Sequence, residues 1–243
     1  MCGRFVSSSP PDELAKYFDV EQVADKVLEE SYNVAPSNDV YVVVETGGIR
    51  RLETFHWGLI PFWAKDPSAG NKMINARAEG LAEKNAYKRA FTKRRCIIPA
   101  DGFYEWKKVP GQKAKQPYFI QRADGEPLAF AGLWEVWRPK DTARDEGDDG
   151  DVIRSCTIIT GQPNEKIAEI HDRMPVMLPP DKWAEWLDPE NDDLATLGKL
   201  LVPAPASLLA VHPVSTAVNN VRSRGAELTA PIDPDADGQD RLL

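Results

Sequence analysis

The sequence predicts a single α+β domain built on a mixed or antiparallel sheet. Strand-like segments neither alternate regularly with helical segments nor separate from them along the chain, and no dinucleotide-binding fingerprint follows a strand. The chain has 243 residues, of which 42% are hydrophobic, so it is long enough to bury one substantial core. We therefore expect one domain over residues 1–243.

Local sequence patterns predict the elements in order. Prolines followed by acidic residues indicate the first helix, and apolar runs bounded by turn residues indicate strands. The predicted helices cover residues 11–18, 78–94, 164–170 and 181–187. The predicted strands cover residues 40–44, 50–57, 96–98, 103–107, 118–121, 128–136, 153–160 and 211–214.

Two acidic segments are expected to lie outside the core. Residues 138–151 include six acidic residues and two glycines, which is typical of an exposed loop between strands. The C-terminal tail, residues 227–243, is also acidic, and we expect it to be loosely held.

Composition and motifs exclude several classes of protein. No apolar run is long enough to span a membrane, and the N-terminus lacks the basic and apolar regions of a secretory signal. The three cysteines (Cys2, Cys96 and Cys156) are far apart, which predicts reduced thiols in the cytoplasm. The three histidines are equally dispersed and no CxxC motif occurs, so we expect neither a metal nor a cofactor.

The net charge of −8, taken as an average, argues against nucleic-acid binding. Residues 71–122, however, contain thirteen Lys and Arg against four Asp and Glu, a net +9 that leaves −17 for the rest of the chain. Aromatic residues lie in and near this window. Cations beside flat rings are typical of proteins that bind single strands. The alternative is a solvated basic helix face next to core aromatics.

Cys2 has the most reactive chemistry in the chain. Removal of Met1 would leave an α-amine and a thiol on adjacent carbons, with reference pKa values near 7.7–8.0 and about 8.5. A useful fraction of each is then nucleophilic around neutral pH. With an aldehyde, the amine forms a Schiff base that the thiol closes into a thiazolidine. With an amide, the thiol attacks and the amine serves as its base. A cysteine at this position by accident is the third interpretation.

Six motifs occur in a specific order along the chain. They are MCGRF at 1–5, YNVAP at 32–36, WGLIPFW at 57–63, NARAE at 75–79, PADGFYEW at 99–106 and HDRMP at 171–175. Together they closely resemble the SOS-response-associated peptidase (SRAP) family of abasic-site processing proteins. The resemblance extends from Cys2 nearly to the C-terminus. It implies a single domain in which mixed and antiparallel sheets form a barrel-like core flanked by short helices.

The resemblance also implies a function. It implies that Cys2 captures abasic sites in single-stranded DNA as a thiazolidine, which shields the site from strand cleavage. A ring-opened abasic sugar presents an aldehyde at C1′, which is the group that a 1,2-aminothiol traps. Self-removal of Met1 and reversal of the crosslink are further implied activities. The implied protein acts at the nucleoid and binds abasic single strands and their junctions with duplex, without membrane contact. Nothing in the sequence requires more than a monomer.

The resemblance assigns catalytic roles to three residues besides Cys2. Glu105 resembles a general acid/base that protonates the sugar ring oxygen, and its alternative is a surface carboxylate paired with a neighbouring lysine. His171 is the second proton-handling candidate, although a lone histidine is more often structural. Asn75 resembles a polar residue that holds the substrate or the N-terminus.

The resemblance also implies a set of DNA contacts. The arginines resemble phosphate contacts and the tryptophans resemble stacking platforms for bases. The proline either helps to split a duplex at a junction or is an ordinary loop residue. These residues are Arg4, Arg77, Arg173, Trp106, Trp63 and Pro36.

Two other functions fit parts of the sequence. The first is an N-terminal cysteine hydrolase that acts on a peptide or amide, for which the basic window is incidental. The second is a non-catalytic single-strand binder in which Cys2 is buried. Peptide turnover without DNA would identify the hydrolase, and equal affinity for intact and abasic strands would identify the binder.

Overall fold

A computed structural model describes residues 2–111, 113–139 and 152–233. It confirms the α+β class, with five short helices and thirteen strands among these residues. The helices are α1 (Pro11–Tyr17), α2 (Lys88–Lys93), α3 (Glu165–Ala168), α4 (Trp183–Leu187) and α5 (Leu194–Lys199). The strands are β1 (Phe5–Ser7), β2 (Gln22–Val23), β3 (Ser31–Val34), β4 (Asp39–Thr46), β5 (Ile49–Trp57), β6 (Asn75–Arg77), β7 (Arg95–Ala100), β8 (Gly102–Lys107), β9 (Gln116–Arg122), β10 (Leu128–Trp137), β11 (Ile153–Gly161), β12 (Met174–Pro175) and β13 (Leu209–Pro213).

Five long strands close into a barrel. The order β11–β10–β7–β4–β5 is antiparallel throughout, and a parallel pairing of β5 with β11 completes the ring. Side chains alternate across each strand, so Val40 and Val42 belong to one hydrophobic cluster, whereas Tyr41 and Val43 belong to a second cluster that α1, α2, α4 and α5 also join. The barrel-like core with flanking short helices is therefore confirmed.

A second sheet, in the order β13–β9–β8–β1–β3, lies against the barrel. Its strand β1 carries Phe5, whose ring meets Trp57 edge-on at 5.1 Å and Phe130 at 6.4 Å within the first cluster. Three aromatic rings in such contacts bury a large apolar area. They fix the N-terminal strand against the barrel, and Cys2 lies in the same cluster.

Most predicted elements are confirmed, but the helix predicted over residues 78–94 is wrong. The structure has a 3₁₀ turn at Ala78–Gly80 and then only α2. Gly80 disfavours a helix. Tyr87 follows the buried Leu81 by six residues, whereas buried residues on one face of a helix recur after three, four or seven residues. Separate turns therefore bury these side chains.

The two predicted acidic segments differ in how much of each the structure describes. Of residues 138–151, only 138 and 139 fall within the described chain, so the predicted loop lies outside it. The tail is described as far as Asp233, and its first part is anchored, contrary to the expectation. Leu228 is buried, and the Ile232 N–H donates to the Pro213 carbonyl at 3.0 Å. None of the described helices is long and apolar enough to cross a membrane.

Candidate functional site

Strand β1 places Cys2 at the junction between the barrel and the second sheet. The Tyr104 N–H donates to the Arg4 carbonyl at 3.0 Å, which aligns the N-terminal segment with β8. Asn75 Nδ2 donates to the Cys2 carbonyl at 2.7 Å, so β6 holds the same residue from the barrel side. Cys2 is 0% exposed. The N-terminal segment is therefore held by contacts from two different sheets, at Cys2 by β6 and at Arg4 by β8.

The Cys2 thiol is kept in its protonated form. Burial raises its pKa most strongly, and the carboxylate of Glu105 raises it further. The Sγ–H group points to the Arg4 carbonyl, with an Sγ–O distance of 3.8 Å. A reaction at this sulfur therefore needs a group that accepts its proton.

Glu105 lies on β8 and is only 2% exposed. This burial excludes the alternative of a surface carboxylate paired with a neighbouring lysine. The His171 ring lies nearby, with 4.0 Å between Glu105 Oε2 and His171 Nε2. The distance is longer than a direct hydrogen bond, but such contacts between proton-transfer groups often shorten when substrate binds.

His171 follows α3 and is tied to the residues after it. Its Nδ1 atom lies 3.1 Å from the Arg173 backbone nitrogen and 2.9 Å from Asp172 Oδ1. The His171 backbone N–H donates to the Ile167 carbonyl at 2.9 Å. These contacts orient the ring so that Nε2 faces Glu105.

Arg173, predicted to contact phosphate, is engaged by a carboxylate. Its guanidinium donates two hydrogen bonds to Glu79, at 2.7 and 2.8 Å, and a third to the Thr160 carbonyl at 2.6 Å. These bonds lower the pKa of Glu79 to about 2, so the pair stays ionised at neutral pH. A phosphate would have to compete with Glu79 for this guanidinium.

Strand β6 presents Asn75 and Arg77 beside the end of β11. It runs parallel to β11, with Asn75 opposite Ile158 and Arg77 opposite Thr160. The intervening Ala76 is buried, whereas the Arg77 side chain is exposed. Asn75 Oδ1 is buried without a hydrogen-bond partner among the described residues. This oxygen can accept a hydrogen bond from a bound group.

Two other predicted DNA contacts lie beside Cys2. Arg4 donates from Nη1 to the Asn33 side chain at 2.9 Å and to the Val218 carbonyl at 3.0 Å. Trp106 is half-buried, and its Nε1 donates to Asn219 Oδ1 at 2.7 Å. Both side chains are therefore fixed by contacts with a segment near the C-terminus.

The remaining two predicted contacts lie in surface loops. Trp63 is 50% exposed and lines an open groove of about 770 Å³ between its own loop and α2. Pro36 is half-buried in the turn between β3 and β4. It follows Val34, which pairs with Phe5 of β1, so this turn lies beside the N-terminal segment.

The basic window is less available to ligands than its net charge of +9 suggests. Arg94 pairs with the buried Glu135, and Arg122 Nε donates to Asp124 at 2.9 Å. Arg95 is buried and donates to backbone carbonyls, including that of Trp186 at 2.7 Å. The expectation that the basic window as a whole binds a strand is corrected to this extent, because these three arginines make intramolecular contacts that stabilise the fold.

Two residues that organise the site are not among those predicted from the sequence. Asn33 and Glu79 bind the predicted phosphate contacts Arg4 and Arg173, respectively. Both residues lie inside family motifs, YNVAP at 32–36 and NARAE at 75–79, and no other sequence pattern marks them. Among the described residues, no group of three or more His, Cys, Asp or Glu side chains is arranged to hold a metal ion.

The chain is similar over most of its length to two abasic site processing proteins. Abasic site processing protein YoaM of Bacillus subtilis (strain 168) is 44% identical over 229 residues, which cover 94% of this chain and 97% of the relative. Abasic site processing protein YedK of Escherichia coli (strain K12) is 34% identical over 241 residues, covering 96% of this chain and 100% of the relative.

The fold also matches a solved structure. A crystal structure of a protein from Bacteroides thetaiotaomicron has a TM-score of 0.82 and 24% identity, and it covers 96% of this chain and 100% of that one. This likeness concerns the fold alone. Residues 1–221 match the family model described as SOS response associated peptidase (SRAP). The chain therefore belongs to the SRAP family.

Proposed function

We propose that this protein recognises abasic sites in single-stranded DNA and bonds to them covalently through Cys2 after Met1 is removed. The observation that carries the proposal is the position of Cys2. Its carbonyl accepts a hydrogen bond from Asn75, and the pKa of its thiol is raised by the nearby Glu105 carboxylate. The names of the relatives, which are abasic site processing proteins, support the substrate class.

The proposed reaction forms two bonds at the C1′ carbon of the sugar. The Cys2 amine adds to the C1′ aldehyde and water leaves, which gives a Schiff base. The sulfur then adds to the same carbon, and the thiol proton ends on the nitrogen. The product is a five-membered thiazolidine, formed with the net loss of one water. It is more durable than a Schiff base, because the carbon–sulfur bond must break before the amine can be released.

Glu105 and His171 would manage the protons. Glu105 in its protonated form donates to the sugar ring oxygen while the C1′ hydroxyl releases its proton to water, which opens the ring to the aldehyde. The resulting carboxylate can then accept the thiol proton and pass it to the nitrogen of the new ring. His171 Nε2 lies 4.0 Å from Glu105 Oε2 and its side chain is partly exposed, so it can return a proton from solvent to Glu105.

The strand itself would be held by Arg77, Arg4 and Trp106. Arg77 is exposed two residues from Asn75, so it can bind a phosphate beside the sugar that Asn75 contacts. Within the part of the chain that the structure describes, the Arg4 hydrogen bonds use only Nη1, which leaves Nε and Nη2 as donors. The half-buried Trp106 ring offers a stacking surface for a base.

A blocked N-terminus tests the proposal directly. A chain carrying one extra residue before Cys2 that is not removed keeps the thiol but loses the free amine. We expect it to form no adduct with an abasic single strand on a denaturing gel, whereas the processed chain does. An equal yield from both chains would contradict the mechanism. Peptide hydrolysis by the processed chain without DNA would instead favour an amidase.

Replacement of Asn75 by alanine tests the role of its amide. The lost hydrogen bond to the Cys2 carbonyl should slow crosslinking by roughly 5- to 10-fold, as expected for a net contribution of about 1 kcal/mol. Crosslinking rates at saturating DNA are the measurement. Affinity for an intact strand of the same sequence is the control, and a parallel loss of that affinity would indicate damage to the fold.

A further inference from the structure

One buried amide organises the loop formed by residues 218–224, which we call the C-terminal loop. Asn33 is 2% exposed, and its Nδ2 lies 3.2 Å from the Val218 carbonyl, 3.1 Å from that of Asn220 and 2.9 Å from that of Ser223. A buried polar group costs stability unless it is hydrogen-bonded, and the Asn33 amide has these three carbonyl partners. The C-terminal loop therefore has a defined conformation although it forms no helix or strand beyond Asn219.

The C-terminal loop contacts two residues of the proposed DNA-binding face. Arg4 Nη1 donates both to Asn33 Oδ1 at 2.9 Å and to the Val218 carbonyl at 3.0 Å. Trp106 Nε1 donates to Asn219 Oδ1 at 2.7 Å. A strand bound by Arg4 and Trp106 would therefore pass close to this loop.

The C-terminal loop also presents two arginines to solvent. Arg222 and Arg224 are exposed, and neither guanidinium has a hydrogen bond or a carboxylate partner within the described chain. The backbone on either side is fixed, because the Arg222 N–H donates to Asn220 Oδ1 at 3.1 Å and the Arg224 carbonyl accepts from the Tyr32 N–H at 3.2 Å. In contrast, Arg94 pairs with a carboxylate.

We infer that the C-terminal loop is a second phosphate-binding element, which holds the DNA strand on the Trp106 side of Cys2 through Arg222 and Arg224. The inference rests on the proposed function. It extends the interface beyond the basic window at 71–122 to arginines that lie 100 and 102 residues after its end in the sequence. Asn33 acts as a positioning residue, since its amide joins this loop to Arg4.

The salt dependence of binding tests this inference. The probe is a short single strand containing an abasic analogue that lacks the C1′ hydroxyl, so that no crosslink forms. For the double variant Arg222→Ala/Arg224→Ala, the slope of log affinity against log salt should become shallower by about 1.4, since each single-strand phosphate contact contributes about 0.7. At about 100 mM salt the affinity should fall by about 5- to 25-fold.

A matched control removes the same charge elsewhere. Lys16→Ala/Lys199→Ala alters exposed residues of α1 and α5 and should leave the slope unchanged. Two shortened strands, each ending at the abasic position on one side, locate the contact. The loss of affinity in the arginine variant should vanish with one of these strands and persist with the other. An unchanged slope, or a loss equal to that of the control, would overturn the inference.

The inference and the proposed function can fail separately. The unaltered chain is tested in parallel with a reactive abasic strand on a denaturing gel. Absence of an adduct there would overturn the proposed chemistry. A normal adduct together with an unchanged salt slope would overturn only the role of the C-terminal loop.

Discussion

Replacing Cys2 by serine is expected to abolish the durable adduct with abasic single-stranded DNA. The variant keeps its α-amine and still forms a Schiff base, but a hydroxyl does not close the ring as a thiol does. The adduct should therefore disappear on a denaturing gel and return only when a borohydride traps the Schiff base. Such trapping would separate the role of the amine from that of the thiol.

The matched control for this variant is Cys156→Ala. Cys156 is also a buried free cysteine, but it lies on a barrel strand in the core. We expect the control to crosslink at the rate of the unaltered chain. A durable adduct from Cys2→Ser without reductant would contradict the role of the thiol and would point to another nucleophile.

Replacing Glu105 by glutamine is expected to have two opposite effects. Crosslinking should slow by about 10²- to 10⁴-fold, the range that general acid–base groups contribute. At the same time the Cys2 thiol should become easier to ionise, because the Glu105 carboxylate is one cause of its raised pKa. Burial remains the larger cause, so the pKa should fall only part of the way towards its ordinary value.

The rate of Cys2 alkylation by a small reagent against pH measures the second effect. A thiol with a raised pKa is protonated at neutral pH, and its reactive thiolate increases as the pH rises. In Glu105→Gln this increase should begin at lower pH than in the unaltered chain. The control is Glu169→Gln, which neutralises an exposed carboxylate near α3. Alkylation and crosslinking profiles that match the control would contradict the role of Glu105.

The long barrel strands were predictable because their residues leave few alternatives. The run at 40–44 consists of valine and tyrosine, which favour strands, and the run at 128–136 is apolar except for Glu135. Burial on both faces requires such runs. The short strands were not predictable, since two to four residues carry no periodicity. Two of them matter most for the site, because β1 places Cys2 and β6 places Asn75.

The reactive groups of the site were more predictable than the hydrogen bonds that hold its residues in place. An amine and a thiol on one residue suggested Cys2 without any knowledge of the fold, and the family motifs supplied Glu105 and His171. The pairing of Arg173 with Glu79 spans 94 residues, and the contacts of Asn33 reach the C-terminal loop across 185 or more. No local pattern encodes such contacts, because they depend on how the two sheets meet.

The intact mass of the adduct, formed without a reductant, shows whether Cys2 forms the proposed thiazolidine. We expect the mass of the chain without Met1 plus the mass of the abasic strand, less one water. Digestion should place the DNA remnant on the peptide that begins with Cys2, and the thiol of that residue should not react with an alkylating reagent. An adduct on a lysine, or on a chain that retains Met1, would contradict the proposed reaction.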